Sequence, residues 1–366
     1  MTGTKPVTVA KLRAGALGWP GRAGVVLALA AVAAAACTGT GGAGSASPGP
    51  YSQPASPAPI GPVSLQHQYE RVVAIVLPSV VQISTAEGLG AGVVFDHKGD
   101  VVTNAHVVGT AKTVKVRPAT RSKALAAKVI GVFAPDDLAV IRVKSGAASL
   151  RPATFGRLSA VRVGEIVLAM GNPLGLTGTV TDGIVSATGR TVSEGQGSSA
   201  VLISAIQTSA PINPGNSGGA LVNLAGQVIG IPTLAASDPQ LGGAAVGIGF
   251  AIPSDTVTSI AGQLISSGKV ARSGRAALGV TAETVINDNG QPAGVGVVRV
   301  TRGGAAARAG IRAGDIIVSV GGHPTGSVTA LTAVLATYRP GDRVQVRLSR
   351  HGTQHTLSVT LGTLTS

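Results

Sequence analysis

Residues 207–221 read QTSAPINPGNSGGAL, and the organisation of the whole chain follows from how this stretch is read. Its centre, Gly215-Asn216-Ser217-Gly218-Gly219, sets one serine among residues with little side chain. On such a turn, backbone N–H groups can point at the spot the hydroxyl reaches, which pairs a nucleophile with an oxyanion site. A serine hydroxyl is a weak nucleophile without a neighbouring base and a carboxylate to orient that base. VTNAHVV at 102–108 supplies a histidine, His106, and DDLAVI at 136–141 supplies two adjacent acids, Asp136 and Asp137, so the chain order is His, Asp, Ser.

With 366 residues the chain is long enough for two domains plus a targeting segment. Hydrophobic residues make up 44% and aromatics only 2%, so the cores are built from Val, Ile, Leu and Ala; 53 Gly and 21 Pro favour many short strands joined by turns. The net charge of +14 is dispersed: residues 1–63 carry +4, 64–268 carry +3, 269–275 carry +3 and 276–366 carry +4. The one basic run, Lys112, Lys115, Arg117, Arg121, Lys123 and Lys128, has no base-stacking aromatics among it and reads as a solvated hairpin face, not a nucleic-acid surface.

Lys5, Lys11, Arg13 and Arg22 precede the uncharged GVVLALAAVAAAA at 24–36, the pattern of an export signal over 1–36. Its apolar run is too short to span a bilayer, which takes about 20 residues. The only cysteine, Cys37, follows three alanines as in a bacterial lipobox, so it is the expected lipidation site and the start of the mature chain. Residues 37–63, rich in Gly, Ser, Pro and Ala, are expected to form a disordered tether. Strands are expected at 80–84, 91–95, 101–103, 113–117, 127–132, 138–143, 166–170, 201–207, 227–234 and 247–252, with Asp137 opening the sixth. The glycine-rich run 88–92 reads as a hairpin turn. A helix is expected at 255–268 with Ser254 as its N-cap, then a linker at 269–275. The segment 276–366 reads as a small β-barrel with two helices.

In order along the chain stand VVTNAHVV, DDLAV, MGNPLGLTGTVTDGIVSA, QTSAPINPGNSGGAL and GIGFAIPS. Together they resemble the HtrA (DegP/DegS-type) serine proteases, and the chain from Ala276 onward resembles the PDZ domain that follows the protease in that family. The resemblance covers about residues 63–364. It implies a mainly β protein: a chymotrypsin-like pair of six-stranded antiparallel β-barrels over 64–268, then a small α+β PDZ domain over 276–366. His106, Asp137 and Ser217 fall on the family's triad positions; Asp137 is preferred to Asp136 because it directly precedes Leu-Ala-Val. Gly215 and Ser217 would supply the oxyanion N–H groups, without metal or cofactor. The family also implies a homotrimer and a role in clearing unfolded envelope proteins outside the cytoplasmic membrane. Three positions depart from its usual pattern: Ser209 for Asp, Pro211 for Ala and Pro232 for Asn.

Position relative to the nucleophile places Pro211, Ile212 and Pro232 around the S1 pocket, with the Thr233 carbonyl receiving a substrate N–H. No acidic residue occurs between Ala205 and Gln227 to pair a basic P1 side chain. In the PDZ segment, backbone at Leu278, Gly279 and Val280 is expected to bind the C-terminal carboxylate of an extended peptide. The contrasting expectation is a peptide-binding chaperone or stress sensor whose triad is rarely assembled.

Overall fold

The β-branched runs become strands in a computed structural model that describes residues 62–86, 88–119, 123–172, 178–193, 200–213, 215–238 and 243–366. Cys37, the expected export signal and the tether as far as residue 61 lie outside the described residues. The described chain opens with a helix that the sequence reading did not anticipate, α1 (Pro62–Val76). Leu65, Tyr69, Val72, Val73 and Val76 recur at the spacing of one helical face, and Val72 and Val76 are buried by packing on the barrels.

Strands β1 (Val80–Ser84), β2 (Leu89–Val94), β3 (Asp100–Asn104), β4 (Thr113–Pro118), β5 (Leu125–Phe133) and β6 (Leu138–Val143) close into a barrel in the order β1-β2-β3-β6-β5-β4. A short helix, α2 (Ala105–Val108), follows β3. Strands β7 (Ile166–Gly171), β8 (Thr179–Ser193), β9 (Val201–Thr208), β10 (Ala220–Asn223), β11 (Val228–Asp238) and β12 (Gly243–Pro253) close a second barrel with the same connectivity, β7-β8-β9-β12-β11-β10. Alternation along each strand divides the apolar residues between two destinations. Val81, Ile83, Val94 and Val101 fill the first barrel, whereas Val80, Val93, Val102 and Val140 face outward. There they meet Leu168, Met170, Val222 and Ile231 of the second barrel in one continuous core, so apolar packing fixes the two barrels against each other. The glycine-rich run is therefore not a hairpin turn beyond Gly88, because Leu89 to Gly92 are already strand β2. Gly90 and Gly92 leave room there for Val107 and Val101.

Helix α3 (Ser254–Ser267) covers the seam with Val257, Ile260, Ala261 and Leu264, and Gly268 ends it in a left-handed conformation. Ser254 is its first residue and not its cap. Pro253 occupies the cap position, and the Ser254 hydroxyl is buried with no hydrogen-bond partner among the described residues. Residues 269–275 are packed instead of free. Val270 is buried, its N–H donates to Ser366 Oγ at 2.7 Å, and the Arg275 carbonyl accepts from Leu364 N at 2.8 Å.

The C-terminal part contains β13 (Ala276–Ala277), β14 (Val280–Ile286), β15 (Pro292–Val300), α4 (Ala305–Ala309), β16 (Ile316–Val320), β17 (His323–Pro324), α5 (Val328–Leu335), β18 (Arg343–Arg350), β19 (Thr353–Thr360) and β20 (Gly362–Thr363). Its sheet runs β14-β15-β16-β18-β19 and stays open, with β13 and β20 pairing separately, so the small closed barrel read from the sequence is corrected. Val295, Ile317, Val346, Leu348 and Val359 are its fully buried centre. The turn before β16 is held by a fork: Arg350 Nε and Nη2 donate to Asp315 Oδ1 and Oδ2 at 2.7 and 2.8 Å, and Arg312 N donates to Oδ2 at 2.8 Å.

Candidate active site

Ser217 lies on the turn that enters β10, and this turn is wedged between the barrels. Gly218, at φ 81°, passes so close to β2 that a Cβ would lie 2.2 Å from Ala91 O and 2.5 Å from Thr103 Oγ1. Ala91 N donates to Ser217 O at 2.9 Å, and Thr103 Oγ1 donates to Ala91 O at 2.7 Å. Behind the turn, Gly171 at the end of β7 abuts Gly215 O, where a Cβ would come within 2.4 Å. A residue of the second barrel is thus pinned to a strand of the first. The N–H groups of Asn216, Gly218 and Gly219 are used by Asn213 O, Pro232 O and Asn216 O. Among the described residues, those of Gly215 and Ser217 are used by none.

His106 sits in α2, half exposed, and faces Asp137 through two atoms. Its N–H donates to Asp137 Oδ1 at 2.9 Å, and its ring Nδ1 is 2.8 Å from Asp137 Oδ2. A carboxylate only accepts, so this contact assigns the proton to Nδ1 and leaves Nε2 as the acceptor. Asp137 does not open strand β6. It follows a 3₁₀ turn at Ala134–Asp136 in a left-handed conformation, φ 49° and ψ 42°, and the strand begins at Leu138. That conformation, which Asp tolerates better than most residues, turns the carboxylate back onto His106. The Asp137 carbonyl accepts from Ala105 N and from Asn104 Nδ2, each at 3.0 Å. The neighbouring acid, Asp136, points elsewhere, to Arg275.

Thr233 is the residue that the sequence reading assigned too small a part. The register of β11 against β12 shifts between Pro232 and Leu234, which places Thr233 on an irregularity that re-aims it. Its Oγ1 donates to Asp137 Oδ2 at 2.5 Å, and its carbonyl accepts from Ser217 Oγ at 3.1 Å. One buried threonine therefore touches both ends of the constellation. A threonine sixteen positions after the serine carries no local signal for that role; only the closure of the two barrels reveals it.

Of the three expected S1 residues, Pro211 is exposed, and its carbonyl accepts from Thr181 Oγ1 at 2.8 Å and Asn216 Nδ2 at 3.2 Å. Ile212 is buried in the second barrel's core with Val167, Ile206 and Ala251. Pro232 is buried opposite Ala251 and receives Gly218 N–H. All three border the nucleophile turn, with Ile212 directed inward. Leu278, Gly279 and Val280 line a cavity of about 600 Å³ in the C-terminal part, together with Val328, Leu331 and Leu335 of α5. Among the described residues no three His, Cys, Asp or Glu side chains converge as metal ligands, and no helix is long and apolar enough to cross a membrane.

Residues 90–231, which include His106, Asp137 and Ser217, match the trypsin-like peptidase domain, and residues 276–361 match the PDZ domain. The chain is 40% identical over 332 residues to the serine protease PepD of Mycobacterium tuberculosis, an alignment covering 85% of this chain and 68% of that protein. It is 39% identical to the periplasmic pH-dependent serine endoprotease DegQ of Escherichia coli, over 76% of this chain and 60% of that one. Among solved structures it is similar to the HtrA-type protease AlgW with a decapeptide, with 30% identity and a TM-score of 0.54 over 81% of this chain and 98% of that chain. The serine endoprotease from Yersinia pestis matches at 36% identity and a TM-score of 0.53, over the same shares.

Proposed function

The chain belongs to the HtrA-type serine proteases with a trypsin-like peptidase domain and a PDZ domain, and we propose that it cleaves unfolded or misfolded envelope polypeptides with His106, Asp137 and Ser217. The observation that carries this reading is the double contact of the Asp137 carboxylate with the His106 N–H and ring Nδ1. Ser217 Oγ turns from the Thr233 carbonyl towards His106 Nε2, loses its proton there and attacks the substrate carbonyl. His106 returns the proton to the leaving amine, and the buried Asp137 stabilises the imidazolium in between. The unspent N–H groups of Gly215 and Ser217 take the oxyanion, and the Thr233 carbonyl, once released by Ser217, receives a substrate N–H. Release of that carbonyl and activation of the serine are then one event.

The S1 pocket would be bordered by Pro211, Ile212 and Pro232, none of which can pair a charge, and no acidic residue occurs between Ala205 and Gln227. A Lys or Arg at P1 would bury an unpaired charge at a cost of several kcal/mol, so cleavage follows small aliphatic residues, chiefly Val and Ala. The peptidase domain spans 64–268, a segment at 269–275 connects it, and the PDZ domain over 276–366 binds C-terminal peptides as an added strand beside β14, with the carboxylate at Leu278, Gly279 and Val280. Lipidation at Cys37 tethers the protein to the outer face of the cytoplasmic membrane, where it works as a homotrimer. Fractionation with membranes that Cys37→Ser abolishes tests the tether.

Digestion of a denatured protein, with cleavage sites mapped by mass spectrometry, tests the activity. Val and Ala are expected at P1, and Ser217→Ala is expected to lose on the order of 10⁴ to 10⁶ in rate while remaining folded. Residual activity within tenfold of wild type refutes the triad. Lys or Arg dominating P1 refutes the pocket alone.

A further inference from the structure

We infer that Asp136 and Arg275 form a positioning pair through which the root of the C-terminal domain holds the turn carrying the catalytic acid. The inference rests on the assignment of Asp137 to the triad. Arg275 Nη1 donates to Asp136 Oδ1 at 2.7 Å, and both side chains are only 6% exposed. The same nitrogen donates to the Pro135 carbonyl. One guanidinium thus grips the backbone and the side chain of two consecutive residues in the 3₁₀ turn whose next residue is Asp137. Among the described residues Arg275 is the one partner of the Asp136 carboxylate.

The turn needs such a grip. A non-glycine residue holds a left-handed conformation only where its surroundings over-determine it. On the far side of Asp137, Ala105 N and Asn104 Nδ2 hold its carbonyl. On the near side the fixed points are the Asp137 N–H on Ala134 O at 3.0 Å and the Arg275 grip. Burial holds the Asp136 carboxyl above the ordinary carboxylate range, against the opposing pull of Arg275. Without the guanidinium, a buried carboxylate would stand unpaired beside a second one already committed to His106. It would relieve this by taking a proton or by turning towards water, and turning rotates the peptide that aims Asp137. A misplacement of about 1 Å in a catalytic group costs on the order of 10²-fold in rate. Arg275 also precedes β13 and lines the cavity at Leu278 to Val280, so the grip originates at the wall of the proposed peptide groove.

The test is a double-mutant cycle on the full chain: Arg275→Met, Asp136→Asn and the double variant, assayed with a short chromogenic peptide alongside thermal melts. Each single substitution leaves one buried charge unpaired, so kcat is expected to fall at least tenfold with KM within twofold. The double variant leaves no buried charge but also no grip on Pro135 and residue 136, so its melting temperature is expected to recover towards wild type while its kcat stays at least fivefold below it. Wild-type kcat in both single variants overturns the proposal, as does a double variant whose kcat returns to wild type together with its melting temperature. If Arg275→Met does not fold, Asp136→Asn decides, and an unchanged kcat there overturns the proposal. Ser217→Ala, run in parallel, separates the two claims: if it retains activity the triad reading fails, whereas an inactive Ser217→Ala with a flat cycle sinks the positioning pair alone.

Discussion

Where the barrels meet, Thr233 links Asp137, to which its hydroxyl donates, with Ser217, from which its carbonyl accepts, and Asp137 in turn holds His106. A hydrogen bond to a buried charged group contributes about 1.5–3 kcal/mol. Thr233→Val, which keeps the shape and removes the hydroxyl, is therefore expected to lower the melting temperature by roughly 3–12 °C and, because the carboxylate it holds orients His106, to lower kcat/KM at least tenfold. An unchanged kcat/KM would show that His106 and the backbone alone orient the acid. At this scale the sequence was legible where chemistry has a local signature: Ser217 among glycines, His106 after a β-branched run, an acid before Leu-Ala-Val. The Thr233 hydroxyl and the Asp136–Arg275 pair were not legible, because their partners stand 96 and 139 positions away and nothing local marks them. Arg275 read as the last residue of a linker, and it is buried.

The nucleophile turn works because glycine lets one strand end lie against another. Gly218→Ala would force a Cβ to within 2.2 Å of Ala91 O at a φ of 81°. The left-handed conformation alone costs an alanine roughly 1–2 kcal/mol, so a melting temperature lower by about 4 °C or more is expected, together with loss of activity as Ser217 shifts. Retention of both would mean that the turn yields easily. A second element is held by charge: hydrogen bonding from Arg350 keeps the Asp315 carboxyl below its ordinary value. A lowered folded-state pKa gives stability that is present above the unfolded value and lost as pH falls through the folded one. The melting-temperature difference between wild type and Asp315→Asn is thus expected in full near pH 7 and to shrink below about pH 4. A difference constant down to pH 2.5 would contradict this. Most strands were legible from alternation, but α1, β8 and the four-residue β10 were not read. Helix α1 has the 3–4 spacing of an amphipathic helix, obscured by its β-branched Val and Ile. Strand β8 carries interior glycines and an acid, and its ladder with β9 shifts register repeatedly. Gly183 within it is required by contact, since a Cβ would lie 2.2 Å from Ala210 N.

Across the whole molecule the proposed catalytic residues come from different barrels: His106 and Asp137 from the first, and Ser217, with Thr233 beside it, from the second. No single barrel holds a complete site, so the continuous apolar core between them, sealed by α1 and α3, sets the geometry of the cleft. The C-terminal part reaches the turn before Asp137 through Arg275. All of this turns on whether Ser217 is an activated nucleophile. Labelling of the mature protein with a fluorophosphonate, followed by peptide mapping, measures that directly. Modification confined to Ser217, abolished by Ser217→Ala and strongly slowed by His106→Ala, is the expected result. Failure of the wild-type protein to take the label, even with added C-terminal peptides, would contradict the account and leave a peptide-binding chaperone or sensor in its place.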